Sequence, residues 1–499
     1  MNQVRCDLAV IGAGSAGCVV AGRIACESDA QVVLIEAGPD YGARESGRWP
    51  ADLLDGGALA PTHQWGYDSG DLYPGREVLP FERARVMGGC SSHNGCAAAI
   101  GTVDDYDRWA SLTGEAGWSA DALRPLLAHA IERMQIRVYP DDEVGPFHRA
   151  CLAAAGELGM HRADDLHDLD GGLGYGVEPV NIDRGVRVNA AFGYVDRARG
   201  RANLRVLDNA LCLQIEPHPD RVEVVAWRDG AEVRVVADRV VLAAGAYESP
   251  AILLRSGIGD PEELRRLGIS VRHELPGVGK NLHDHAMFAL TFERSTALER
   301  ALRTASAERF VPEEQTLGKL RSSRSTGAYD LHLVPVCGNE GSQLAGLTIV
   351  AVAHLEPRSR GRVELRSTDA DAHPMIDHGY LTDPEGHDLA VLTEGIGRAR
   401  AFAAAPALRG MLGAELTPGV AADLREAIPR EHVHYYHPVG TCAMGPAGDR
   451  LAVCDGRARL HGVERVLVAD CSLMPVVPRA NTNLPAVVVG ERVAEWLLT

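Results

Sequence analysis

RCDLAVIGAGSAG, residues 5–17, is an apolar run that breaks off at three spaced glycines, Gly12, Gly14 and Gly17. Residues 5–11 read as a short buried strand, and the stretch from the glycines through Ile24 reads as a helix. QVVLIEAG (31–38) predicts a second strand, so the chain opens on a strand–helix–strand unit. Glycines in the pattern G-x-G-x-x-G at such a junction fit a dinucleotide. Gly12 permits the tight turn, Gly14 lets backbone approach a pyrophosphate, and Gly17 lets helix and strand pack closely. Ser15 opens the helix, whose free N–H groups and dipole favour an anion. Glu36, followed by Ala37, closes the second strand, where a carboxylate can accept from a ribose diol. This pattern does not distinguish NAD from FAD.

Outward from that unit the chain is ordinary in bulk. It has 499 residues, 46% hydrophobic and 24% charged, which is globular composition with room for a large core and a ligand cavity. The net charge of −18 argues against nucleic acid or an anionic membrane surface as partner. The eleven cysteines are scattered and form no C-x-x-C pair, so neither a zinc site nor a disulfide framework is indicated, and no metal is expected. The N-terminus lacks a signal-peptide pattern, and the apolar runs fall short of the roughly 20 residues a membrane helix needs. A cytoplasmic protein is the expectation. Aromatics make up only 5%.

Further strands are predicted at 239–244 and 463–469. Helices are expected after Gly245 and over 486–498. Residues 119–160 carry helical periodicity, and 310–365 mixes loops with strand-like runs such as LTIVAVAHL. The nucleotide-type signals therefore sit at both ends and near the middle of the chain, with other material inserted between them.

RARVMGGCSSHNGC (83–96) adds a Gly88-Gly89 turn and, in Cys90–Ser92, backbone donors for phosphate or flavin oxygens. With four more segments it resembles the glucose–methanol–choline oxidoreductases, a flavoprotein family. They are GAYESPAILLRSGIG (245–259), PGVGKNLHDH (276–285), YHPVGTCAMG (436–445) and VADCSLMPVVPRANTNLPAVVVGERVAE (468–495). The likeness is strongest to the family's choline-oxidising members, through GGCSSHN, YLTDPEGHD (380–388) and GERVAE.

The resemblance implies an α/β fold: a Rossmann-like FAD-binding domain over 1–150, 186–285 and 434–499. An interleaved substrate-binding domain, built on an antiparallel sheet, would take 151–185 and 286–433. It implies FAD held by Gly88, Gly89, Ser92, Asn94, Gly95, Asp470 and Cys471 as well as by the opening unit. His93 aligns with the histidine that choline-oxidising members bond covalently to the flavin, so a covalent link is expected there. His437 and Asn481 align with the family's two active-site positions. A histidine whose ordinary pKa lies near working pH suits removal of an alcohol proton, and an amide can hold the resulting oxygen.

Trp65 and Tyr436 match two aromatic pocket positions, but the rest of a choline cage is missing, and Gly95 replaces a serine. Glu356 falls where those relatives place an active-site histidine. The expectation is therefore oxidation of a polar alcohol, with an amine-bearing one such as an amino sugar or amino alcohol paired through its amine by Glu356, and with O2 accepting the electrons. Another acceptor, or a hydroxynitrile-lyase-type reaction without redox, stays open. His432 and His434 are expected to be solvated or packed, His283–His285 to shape a turn, and the chain to form a homodimer.

Overall fold

The computed structural model describes residues 2–73 and 77–499. The opening unit forms as expected: strand Asn2–Ile11, helix Ser15–Glu27, strand Val32–Ile35. Leu8–Ile11 and Val32–Ile35 are buried throughout, as strands covered on both faces require. They sit inside a seven-stranded sheet. Its order is Ala210–Pro217, Val222–Arg228, Ala231–Leu242, Asn2–Ile11, Val32–Ile35, Leu204–Leu207, with Val466–Val468 paired to Ala231–Leu242. The core strands run parallel, and the 210–242 strands form an antiparallel extension.

Ala231–Leu242 begins eight residues before the strand expected at 239–244. The added part is half of a hairpin. Asp229 and Gly230 both take positive φ, the backbone of a tight two-residue turn, and the polar, partly exposed stretch AEVR conceals the strand from a search for apolar runs.

Against this sheet lie Ser15–Glu27 and Asn483–Leu498, the first and last helices. A Cβ at Gly490 would stand 2.8 Å from the Ala16 carbonyl oxygen, so the two helices meet backbone to backbone.

The second sheet has eight strands in the order Leu412–Thr417, Ala286–Arg294, Thr348–His354, Leu331–Cys337, Thr316–Leu320, Gly174–Val177, Arg162–Ala163. Val433–His434 pairs to Ala286–Arg294. All pairings are antiparallel except that between Arg162–Ala163 and Gly174–Val177. Strand alternation splits it cleanly. Leu331, Leu333, Val350 and Val352 face helices Pro146–Glu157 and His387–Ala403. Val334, Val336, Ala351 and Ala353 face the other way, toward the first sheet's cavity.

Helix Pro146–Glu157 crosses the position expected as a domain boundary, 150/151, and buries Phe147, Ala150 and Cys151 in the second sheet's core. All eleven cysteines are unpaired. Among the described residues no helix is long and apolar enough to cross a membrane.

Candidate active site

A cavity of about 460 Å3 lies between the glycine turn of the first sheet and the apolar face of the second. At its first-sheet end Gly12 holds φ +97°, and a Cβ there would stand 2.4 Å from the Ala243 carbonyl oxygen. A Cβ at Gly17 would collide with the Gly12 carbonyl oxygen at 1.9 Å. Gly89, at φ +53°, brings the 83–96 segment onto this turn, where its Cβ would lie 2.6 Å from Gly14 Cα. Only glycine fits these places, and the result is a backbone cradle.

Glu36 accepts from the Ala13 N–H at 2.8 Å and the Gly38 N–H at 2.9 Å. Burial outweighs these bonds and pushes its carboxyl up to about 7. Asp470 ties the cradle to helix Gly245–Arg255, accepting from Gly245 N–H at 2.8 Å and Ser249 Oγ–H at 2.5 Å.

Gly12, Gly14, Ser15, Glu36, Ala37, Gly89, His93, Asn94, Gly95, Asp470 and Cys471 all line the cavity. Gly17, Gly88 and Ser92 do not: they support it from behind. Ser92 is fully buried and donates to the Met87 carbonyl at 2.8 Å; Gly88 leaves room for that hydroxyl, 2.2 Å from where a Cβ would be.

The far end of the cavity is lined by Trp65, Tyr436, His437 and Asn481. Trp65 stacks on Tyr67 at 5.7 Å and lies under the Arg85 guanidinium at 4.8 Å. Tyr436 takes the left-handed conformation, φ +66°, and its carbonyl accepts from Arg83 Nη2–H at 2.9 Å. That kink turns the chain so that His437 faces inward. Asp284 accepts the His437 backbone N–H at 2.9 Å and the Tyr380 hydroxyl at 2.9 Å. His285 Nδ1 meets His437 Nδ1 at 2.9 Å. Burial, with His285, His332 and Arg83 nearby, keeps the His437 imidazole neutral, well below its ordinary pKa. The Asn481 side chain leaves Oδ1 buried without a partner.

Asp284 and His285 therefore do more than shape a turn: they hold His437 by backbone and by ring. Their adjacency in LHDH was the available signal, but the bridge between His283 and Val439 that aligns the two segments is long-range. His434 and His432 are buried rather than solvated, and His434 Nε2 lies 3.0 Å from Glu82 Oε2.

Glu356 is a correction. It does not reach the cavity. Ile349 and Ala351 point into the cavity from strand Thr348–His354, but the strand ends before residue 356. There the side chain turns toward Arg479, with Oε1 at 3.8 Å from Nη1. Besides Glu36, Glu82, Glu248 and Asp470, the cavity is lined by the carboxylates of Glu313 and Glu314, just ahead of strand Thr316–Leu320. A Cβ at Gly95 would lie 3.7 Å from Glu314 Oε1, so the glycine that replaces a serine opens onto this acid. Burial, and then the charge of Glu313, pushes the Glu314 carboxyl up to about 7.

The cradle, the acid at the end of the second strand and the His437–Asn481 end make this the site of a flavin-dependent oxidoreductase. The chain belongs to the GMC oxidoreductases: family models of that description match residues 6–287 and 357–490. It is 34% identical to the choline oxidase of Arthrobacter globiformis, covering 98% of this chain and 94% of that one. It is 32% identical to oxygen-dependent choline dehydrogenase 1 of Chromohalobacter salexigens, covering 99% and 95%. Among solved structures it is similar to pyridoxine 4-oxidase from Mesorbium loti, with TM-score 0.86, 25% identity and coverage of 98% and 99%. Formate oxidase, at TM-score 0.85 and 20% identity, shares the fold. The protein is thus an FAD-binding enzyme that acts on alcohols and passes their electrons to an acceptor.

Proposed function

We propose that the substrate is an alcohol bearing a protonated amine, such as an amino sugar or amino alcohol, and that O2 is the acceptor. The observation that carries the substrate class is the half-buried carboxyl of Glu314, which enters the cavity beside the apolar face of the second sheet. An unpaired carboxyl there is costly unless a cation answers it. Trp65 and Tyr436 complete a pocket for a primary or secondary ammonium, which, unlike a quaternary one, donates hydrogen bonds to the acid.

The chemistry assigned to the residues follows from their protonation. FAD, which Gly12, Gly14, Glu36 and Asp470 would hold, would supply the hydride acceptor for the carbinol carbon. His437 removes the hydroxyl proton. When its Nδ1–H is donated to His285, its Nε2 lone pair is left for the substrate oxygen. Asn481 holds that oxygen as a fixed amide donor while negative charge develops on it. Asp284 fixes the His437 backbone, and the second sheet's apolar face excludes water from the reaction.

The cradle fits FAD, because its close approaches admit backbone where a pyrophosphate needs N–H donors. His93, buried at the cavity wall, is proposed to carry the flavin covalently. Its imidazole stays neutral, lowered to about 3 by burial and by Arg83 and Arg187. A neutral imidazole is the form able to make such a bond.

The test is an anaerobic screen of amino sugars, amino alcohols, choline and matched neutral alcohols, following loss of the oxidised-flavin absorbance. Bleaching fastest with the primary-amine compounds supports this reading; equal bleaching by their neutral counterparts overturns it. Peroxide formed in air, one per product, checks O2 as acceptor.

A further inference from the structure

Gln64 stands at one ring nitrogen of His93. Its side-chain amide nitrogen lies 3.3 Å from His93 Nδ1, and both residues line the cavity. The backbone on both sides of that ring is held. His93 N–H donates to the Cys90 carbonyl at 3.3 Å, and the Ala60 N–H donates to the His93 carbonyl at 3.1 Å. With Nδ1 occupied by Gln64, Nε2 is the nitrogen left to the cavity.

An imidazole that carries one proton has one nucleophilic nitrogen, and the partner of the other nitrogen decides which. The two ends of a glutamine amide have nearly the same shape, so the contact fixes the pairing but not which end is inward. With the NH2 inward, Nδ1 accepts, the proton sits on Nε2 and no lone pair faces the cofactor. Gln64 Oε1 is then buried with no donor. With Oε1 inward, Nδ1–H donates to it and the Nε2 lone pair faces the cavity.

We infer that Gln64 is the positioning residue for covalent flavin attachment, its Oε1 holding the Nδ1–H tautomer of His93 and so presenting Nε2 to FAD. This rests on the covalent reading given above. Attachment forms one N–C bond, from Nε2 to the methyl carbon at position 8 of the ring, and breaks one C–H bond of that methyl. The electron pair stays on the flavin, which is thereby reduced, and O2 removes it as hydrogen peroxide. The two hydrogens of the peroxide balance the methyl proton and the imidazole proton that are lost. The charged and titratable groups facing His93 are Arg83, Arg187 and His63, all of which disfavour a second proton on the ring. An acceptor at Nδ1 is therefore what the site needs, and a cationic partner would fail.

The experiment compares wild type, Gln64→Glu, Gln64→Leu and His93→Ala, each saturated with FAD, for the fraction of flavin that stays with the chain after acid precipitation. FAD stoichiometry before precipitation and Tm control for folding. Wild type retains flavin and His93→Ala retains none. Gln64→Leu attaches flavin about 100-fold more slowly or worse, the scale of a misplaced proton, and Gln64→Glu, which keeps an acceptor, restores attachment. Attachment in Gln64→Leu at the wild-type rate overturns the role of Gln64 while the covalent reading stands. Complete release of flavin from wild type overturns both. If Gln64→Leu does not fold, the 15N shifts of histidine in FAD-free wild type, with His93→Ala for assignment, decide the matter: a protonated Nε2 at His93 sinks the proposal.

Discussion

At His437, burial and four basic neighbours, His285, His332, Arg83 and His434, work in one direction and keep the ring neutral. Replacing it by alanine is expected to lower kcat/KM about 100- to 10,000-fold, the usual contribution of a general base. Flavin bleaching under anaerobic single turnover should slow by the same factor; a slowdown in turnover but not in bleaching would move the role of His437 to a later step. Glu314 gives a pH signature of opposite kind. Its carboxyl is raised to about 7, so below that pH it is neutral and above it charged. For an amine-bearing alcohol, KM is therefore expected to fall as pH rises through about 7, until the amine itself loses its proton. Glu314→Gln should abolish that dependence and raise KM about tenfold or more, as expected for a lost charge-assisted hydrogen bond, with little change for neutral alcohols.

At the scale of elements, two contacts hold strand and helix where the site needs them. His148 on helix Pro146–Glu157 bonds Thr316 Oγ1 through Nδ1 at 2.8 Å and the Glu313 carbonyl through Nε2 at 2.9 Å. It thereby fixes the segment that presents Glu314. Burial lowers its pKa to about 4, against 6.5 unfolded. Between those values the unfolded chain binds the extra proton, so this group's contribution to stability is full above about 6.5 and lost as pH falls toward 4. The Tm advantage of wild type over His148→Gln should accordingly shrink across that interval; a constant gap would refute it. Gly89→Ala drives a Cβ into Gly14 Cα, and the purified variant should be colourless though folded by circular dichroism. Much of this was legible beforehand. GAGSAG, HPVGT and NTN announce themselves because backbone freedom or fixed chemistry requires those residues locally. Glu314 was not legible. Which acid reaches the cavity depends on where strand Thr316–Leu320 begins and on its partner strands, and nothing near EEQ in sequence records that register. Glu356 misled for the same reason, lying just past a strand end where alternation no longer says which way a side chain points.

At the scale of the molecule, the two sheets share one cavity, so cofactor and substrate sites cannot be built separately. The first sheet takes strands from residues 2–11 and from 466–468, and the cradle is braced by helix Asn483–Leu498. Ser15 Oγ–H donates to Asn483 Oδ1 at 2.7 Å, and Arg23 pairs with Glu491 at 2.7 Å. Removing residues 483–499 is expected to yield protein that cannot retain FAD on gel filtration, even though every glycine of the cradle is still present. Retention of stoichiometric FAD by that truncated chain would show the brace to be dispensable. The bond between Ser15 and Asn483 also sets an order of events in the cell. The ribosome makes the glycine turn 468 residues before its brace. A chain whose synthesis has not yet passed Asn483 therefore has no finished place for the flavin, and yellow colour is acquired only after that helix has emerged.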